Sequence, residues 1–99
     1  MDYERDYEVV EAGRTNEPLG TVGSSWDFLE GLLVIVEDPS DSMVSIRDGG
    51  GPAILVFPDN PGSGIGTYPV PLGLVSRAGA WQVTTGGGVQ VIAMGVFRS

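Results

Sequence analysis

The sequence predicts an all-β fold, a single β-sandwich or jelly-roll-like barrel of about six to eight strands led by an extended acidic N-terminal arm. Three observations carry this. Short runs rich in Val and Ile recur from Leu32 onward. Gly and Pro, 16 and 7 of the 99 residues, cluster between those runs and set turns about every 8 to 12 residues, the rhythm of sandwiches and barrels. The chain has no cysteine, so packed layers of sheet, with or without neighbouring subunits, must supply the stability that a small domain cannot draw from disulfides. A chain of this length has room for one core and should bury somewhat over 60% of its unfolded surface.

Residues 1–18 form the predicted arm and residues 19–99 the sandwich. Asp2, Glu4, Asp6 and Glu8 alternate with Tyr3, Arg5 and Tyr7, so an extended conformation puts the carboxylates on one face. Tyr3, Tyr7, Val9 and Val10 are the large apolar anchors of this segment, which is expected to be mobile until it lies against a partner. Leu19 to Glu30 is assigned to a short irregular stretch that includes Trp26 and Phe28.

Strand signals then become regular. Leu32 to Val36 is a continuous apolar run stopped by Glu37, Asp38 and Pro39, the pattern of a strand covered on both faces. Met43 to Asp48 alternates Val44 and Ile46 with Ser45 and Arg47. Gly49, Gly50, Gly51 and Pro52 enforce a turn before Ala53 to Phe57, and Pro58 to Gly66 is a long loop. Tyr68 to Val75 contains Pro69 and Pro71, whose missing amides fall on one side of an extended chain, so this strand belongs at a sheet edge. Ala80 to Thr85 sets Trp81 and Val83 against Gln82 and Thr84. Gly86, Gly87 and Gly88 are expected to form a hairpin into the last strand, Val89 to Phe97. There Val89, Val91, Ala93 and Phe97 alternate with Ile92, Met94 and Val96. Both of its faces are apolar, which suits a central strand lying between packed layers or beneath another subunit.

The net charge is −8 and uneven. Residues 1–41 hold eleven carboxylates against two arginines, whereas residues 42–99 hold two against three. Such a surface repels phosphate backbones, so no direct nucleic-acid partner is expected and a basic protein surface suits better. The longest apolar run, Gly31 to Val36, is far below the roughly 20 residues of a membrane helix, and the acidic start does not resemble a signal peptide. The chain is therefore expected to be soluble and unprocessed, with no membrane partner.

With no His, Cys or Lys, the usual nucleophiles, soft-metal ligands and Schiff-base formers are missing. Gly62, Gly64 and Gly66 resemble a phosphate-cradling loop only superficially, because Tyr68 and two prolines follow in place of a helix and a lysine. Asp27 with Glu30, and Glu37 with Asp38, are the nearest carboxylate pairs of the kind a glycosidase needs, but a chain this small seldom forms the deep cleft that such chemistry requires. Glu37 to Ser42 lacks the spacing of a calcium loop. Trp81 alternates in phase with Val83 and is assigned to the core, while Trp26 is as suited to an interface. Arg47, Arg77 and Arg98 are scattered. No catalytic residue, metal or cofactor is expected. The predicted contact residues are Tyr3, Tyr7, Val9, Trp26, Phe28, Tyr68, Pro69 and Pro71.

Two stretches carry a family likeness. One runs from Leu19-Gly20-Thr21-Val22-Gly23 through Asp27-Phe28-Leu29-Glu30-Gly31-Leu32-Leu33-Val34-Ile35-Val36 to Val44-Ser45-Ile46-Arg47-Asp48-Gly49. The other runs from Pro69-Val70-Pro71-Leu72-Gly73-Leu74-Val75-Ser76 through Gly79-Ala80-Trp81-Gln82-Val83-Thr84-Thr85-Gly86 to Val91-Ile92-Ala93-Met94-Gly95. Together they resemble small β-sandwich virion structural proteins of tailed bacteriophages, of the capsid decoration or cement type. The resemblance covers roughly residues 19–97 and brings no catalytic residues. It implies a self-associating, non-enzymatic protein, made in the host bacterial cytoplasm and placed on the capsid surface, where it binds the major capsid protein lattice and stabilises the head. A trimer is favoured because capsid lattices present three-fold junctions. The alternative within the same particle is a tail, baseplate or fibre component that grips a host receptor or glycan through exposed aromatics.

Overall fold

Every apolar run of the sequence finds a place in one of two antiparallel sheets. The computed structural model describes residues 6–19, 27–60 and 64–97. Among the described residues eight strands form: β1 (Asp6–Val10), β2 (Glu17–Pro18), β3 (Phe28–Val36), β4 (Val44–Asp48), β5 (Ala53–Phe57), β6 (Gly66–Val75), β7 (Trp81–Thr85) and β8 (Val89–Val96). Four make one sheet in the order β1-β8-β3-β6, and four make the other in the order β2-β7-β4-β5. The sheets pack together as a small β-sandwich, and no α-helix occurs among the described residues.

Period-2 alternation decides what lies between the layers. From the first sheet come Val10, Leu29, Leu32, Val34, Val36, Val89, Val91 and Ala93, and from the second Val44, Ile46, Phe57, Trp81 and Val83. All are buried and form one cluster with Leu19. Trp81 is 3% exposed, the core position expected of it. The edge position inferred for the Pro69 and Pro71 strand also holds, since β6 closes one side of the first sheet. β8 sits centrally between β1 and β3.

Three expectations are corrected. The Gly86–Gly88 turn is not a hairpin, because β7 and β8 lie in different sheets. It is a corner over which the chain changes layer, bound to the loop after β3 by Gly86 N–H to Met43 O (2.9 Å) and Gly88 N–H to Asp41 O (2.8 Å). A Cβ at Gly88 would collide with the Asp38 carbonyl, so glycine is required for the approach. The stretch before Leu32 is not irregular throughout. β3 begins at Phe28 and passes through a register shift between Leu29 and Gly31, a bulge whose extra residue breaks the alternation on which sequence periodicity depends.

The arm is the third correction. It is extended, but from Asp6 on it lies against its own sandwich, as β1 on β8 and β2 on β7. The loop between crosses from one sheet to the other using positive φ at Gly13 (73°) and Asn16 (50°), residues that tolerate the left-handed region. Thr85 anchors it. Its amide donates to Arg14 O at 2.8 Å, while its hydroxyl accepts from Arg14 N–H at 3.0 Å and donates to Glu11 O at 2.7 Å.

Candidate functional site

Directly opposed residues in an antiparallel pair point to the same side of the sheet, so the register of the first sheet maps its outer face row by row. One row is Val9, Ile92, Leu33 and Pro69. The next is Tyr7, Met94, Gly31 and Pro71, and a third joins Phe28 to Val96 and Val75. A last row, Gln90, Ile35 and Thr67, carries the polar groups. The strand expected to be covered on both faces is thus covered by the sandwich on one: Leu32, Val34 and Val36 are fully buried, whereas Leu33 and Ile35 are half-buried on the outer side. Tyr7 and Val9 are 64% and 48% exposed.

The opposite outer face is built differently. On the second sheet Ser45 is opposed to Thr84, and Arg47 to Gln82. Those two rows give the polar-out pattern of a sheet that faces water. At its β5 edge Leu55, opposed to Ser45, stands exposed on this face, while Ile54, opposed to the core residue Ile46, is exposed at the open margin of the inner side. One sandwich therefore presents a wetted face and a face that is apolar over most of its width.

Five of the eight predicted contact residues, Tyr7, Val9, Phe28, Pro69 and Pro71, meet on the apolar face. Tyr68 does not. Its register with Val34 turns it to the interior side, where its ring packs on Phe57 with centroids 5.1 Å apart and its hydroxyl donates to Gly64 O. Tyr3 and Trp26 lie outside the described residues. The pairing that sequence reasoning missed is the union of β1 with β8. It sets Tyr7 and Val9 beside Met94 and Ile92, which β8 in turn joins to Gly31 and Leu33 of β3, and the signal was the double-sided apolar pattern of Val89 to Phe97.

The face has a notch. Gly31 sits at the bulge, and a groove of about 290 Å³ opens there, lined by Glu30, Gly31, Pro69, Pro71 and Met94 among others. A Cβ at Gly31 would stand 2.8 Å from the Val70 carbonyl oxygen, so only glycine lets β3 and β6 close behind the notch. A second groove of about 260 Å³, lined by Glu8, Val10, Glu17, Pro18 and Leu19, opens along the β1 and β2 edges.

The carboxylates singled out as possible catalysts sit apart or hold backbone. Asp27 is fully buried beside Ser76 and Trp81, whereas Glu30 lines the outer notch. Asp38 accepts from Ser40 N–H and hydroxyl, and Asp41 accepts from Gly87 N–H. Asp48 takes the amides of Arg77 and Ala78, and Asp59 those of Ser42 and Met43. These acids are loop organisers, matching the turn-forming role of Asp. Among the described residues no group of three or more His, Cys, Asp or Glu is placed to hold a metal ion, and no helix is long and apolar enough to cross a membrane.

No family model, curated protein or solved structure matches this chain. The functional reading rests on the two faces, the charge and the resemblance.

Proposed function

We propose that this protein is a capsid decoration protein of a tailed bacteriophage, binding the major capsid protein lattice and reinforcing the head without chemistry. The observation that carries the reading is the contrast between the two outer faces. A sheet with a face as apolar as that formed by Val9, Leu33, Ile92, Met94 and Phe28 is built to be covered by protein, since contiguous exposed apolar patches mark interaction sites. A protein made of such a face, a polar face and loop-organising acids works by adhering. The resemblance to cement-type virion proteins supplies the surface to which it adheres.

Charge suits the shell contact. The acidic edge, with Glu8 and Glu17 along one groove and Glu11 72% exposed, fits a basic groove, and many weak contacts on a lattice add through multiplicity. Because β1 and β2 belong to the sandwich, removing residues 1–18 would strip both sheets of an edge. The test is therefore neutralisation. Glu8→Gln, Glu11→Gln and Glu17→Gln together should weaken co-sedimentation with phage heads and flatten its decline with rising salt, with circular dichroism unchanged. Binding that is equal for both proteins at every salt concentration excludes the charge-led contact. Imaging of particles, counting copies per shell, separates a head protein from a tail or fibre subunit.

A further inference from the structure

We infer that the apolar face of the first sheet pairs with the same face of a second copy about a two-fold axis running along β8. The inference rests on the reading that this face is covered by protein and names the covering. β8 lies between β1 and β3, so a two-fold along it exchanges those neighbours. The register then sets the partner's Tyr7 over the Gly31 notch and the partner's Val9 against Leu33, while Ile92 and Met94 meet their own counterparts on the axis. An isologous contact must contain both halves of every complementarity. Here the exposed Tyr7 and the notch at Gly31 stand in one row, two strands or about 10 Å apart, which is the self-matching arrangement such an axis needs.

Charge favours a second copy over a basic protein at this face. A basic partner needs carboxylates to meet. Among the described residues that line the notch Glu30 is the one acid, and Gln90, Ile35 and Thr67 close the far row without charge. Two chains of −8 repel each other least where the contact surface is nearly free of carboxylates, as this face is, and of the two outer faces this is the apolar one. The area sets the strength. Strands of five, eight and nine residues (β1, β8 and β3), about 4.8 Å apart with about 3.3 Å per residue, give a flat footprint of roughly 350 Å² per copy. Two copies then bury roughly 700 Å² before corrugation, under the roughly 1,200 Å² at which standard stable interfaces begin. The pair is weak and reversible in solution and gains strength where copies are concentrated on a lattice.

The chain's lack of cysteine makes a clean reporter possible in the full-length protein. Ile92→Cys, on the proposed axis, should be joined to a covalent dimer by a short bis-maleimide reagent much faster than Ser45→Cys on the polar face. Sedimentation of the unmodified protein should show a monomer–dimer equilibrium that tightens as salt rises, because screening relieves repulsion between two acidic bodies. Ile92→Glu should weaken it at least about tenfold with circular dichroism retained. A monomer at every concentration, a trimer mass, or equal cross-linking of the two cysteine variants overturns the pairing. If Ile92→Glu abolishes head binding by a protein that is always monomeric, the face meets the shell, and the pairing falls while the decoration reading stands. If Ile92→Cys pairs but the protein ignores phage heads, the decoration reading falls and the pairing stands.

Discussion

Asp27 and Ser76 clasp each other through a backbone bond and a backbone-to-hydroxyl bond. Ser76 N–H donates to Asp27 O at 2.8 Å, and Asp27 N–H donates to Ser76 Oγ at 3.0 Å. Both residues are fully buried, and the same Asp27 carbonyl accepts from Trp81 Nε1 at 3.1 Å. The clasp ties the start of β3 to the end of β6 and to β7 in the other sheet. Ser76→Ala would leave the Asp27 amide buried without its acceptor, at about 1–3 kcal/mol. For a domain of this size each kcal/mol lowers Tm by about 4–8 °C. Ser40→Ala, which removes an exposed hydroxyl from Asp38, should change stability by less than about 0.5 kcal/mol. Thermal unfolding curves that show equal losses for the two variants exclude the clasp as a stabilising element.

Thr85 is predicted to govern how firmly residues 11–16 stay docked. Thr85→Val keeps the shape and the backbone donor to Arg14 O but removes both bonds of the hydroxyl, to Arg14 N–H and Glu11 O, at about 1–2 kcal/mol. Because those bonds close a surface loop, opening there should be local. Trypsin should cleave after Arg14 faster in the variant by more than the change in global stability explains. An unchanged cleavage rate would mean that β1 and β2 alone hold the segment.

Gly95 is the tightest of the strand glycines. A Cβ there would run into the Phe28 carbonyl oxygen and come within 3.2 Å of the Glu30 amide nitrogen, at the bulge where β8 meets β3. Backbone cannot yield as a flexible side-chain tip can, so Gly95→Ala should cost roughly 1–3 kcal/mol as overpacking. Gly50, in the turn between β4 and β5, has open space where its Cβ would go and no positive φ. Gly50→Ala should stay within about 0.5 kcal/mol of the parent. Urea midpoints for the pair read the difference directly, and a Gly95→Ala midpoint equal to that of Gly50→Ala excludes close approach at the bulge.

Where local pattern and tertiary role coincide, the fold was legible in the sequence. Val44 to Asp48 and Trp81 to Thr85 alternate because each has one face in the core, and Ala53 to Phe57 lies between turns that its flanking prolines mark. Pro69 and Pro71 marked an edge for a reason that holds in any sheet. What escaped depends on partners distant in sequence. Phe28 to Gly31 carries a bulge that hides its alternation. The polarity of Tyr7 to Val10 says nothing of β8, which lies more than eighty residues away in the chain. Gly86 to Gly88 has the composition of a hairpin but turns a corner between sheets, a distinction set by which edge receives Val89. For the candidate site, exposure and aromatic character picked out Tyr7, Val9 and Phe28. The same criteria selected Tyr68 because alternation alone does not say which parity of β6 faces inward.

The two prolines of β6 also bear on how the sandwich avoids sticking edge to edge. β6 pairs with β3 on one side only, and since successive amides of a strand point in opposite directions, the donors to β3 come from residues of the other parity, such as Tyr68, Val70 and Leu72. Pro69 and Pro71 therefore remove donors from the open side, where a free ladder would template another strand. The edge of the second sheet is guarded differently, since β5 is five residues long and its register with β4 slips between Val44 and Ser45. Restoring the missing donors with Pro69→Val and Pro71→Val should leave β3 pairing and the core intact, because neither proline reaches the interior. The double variant should nonetheless grow beyond the parent's mass, with light scattering that rises with concentration and time and a thioflavin response that the parent lacks. If its mass and scattering match the parent's through prolonged incubation at physiological temperature, the open edge of β6 is held back by something other than its prolines.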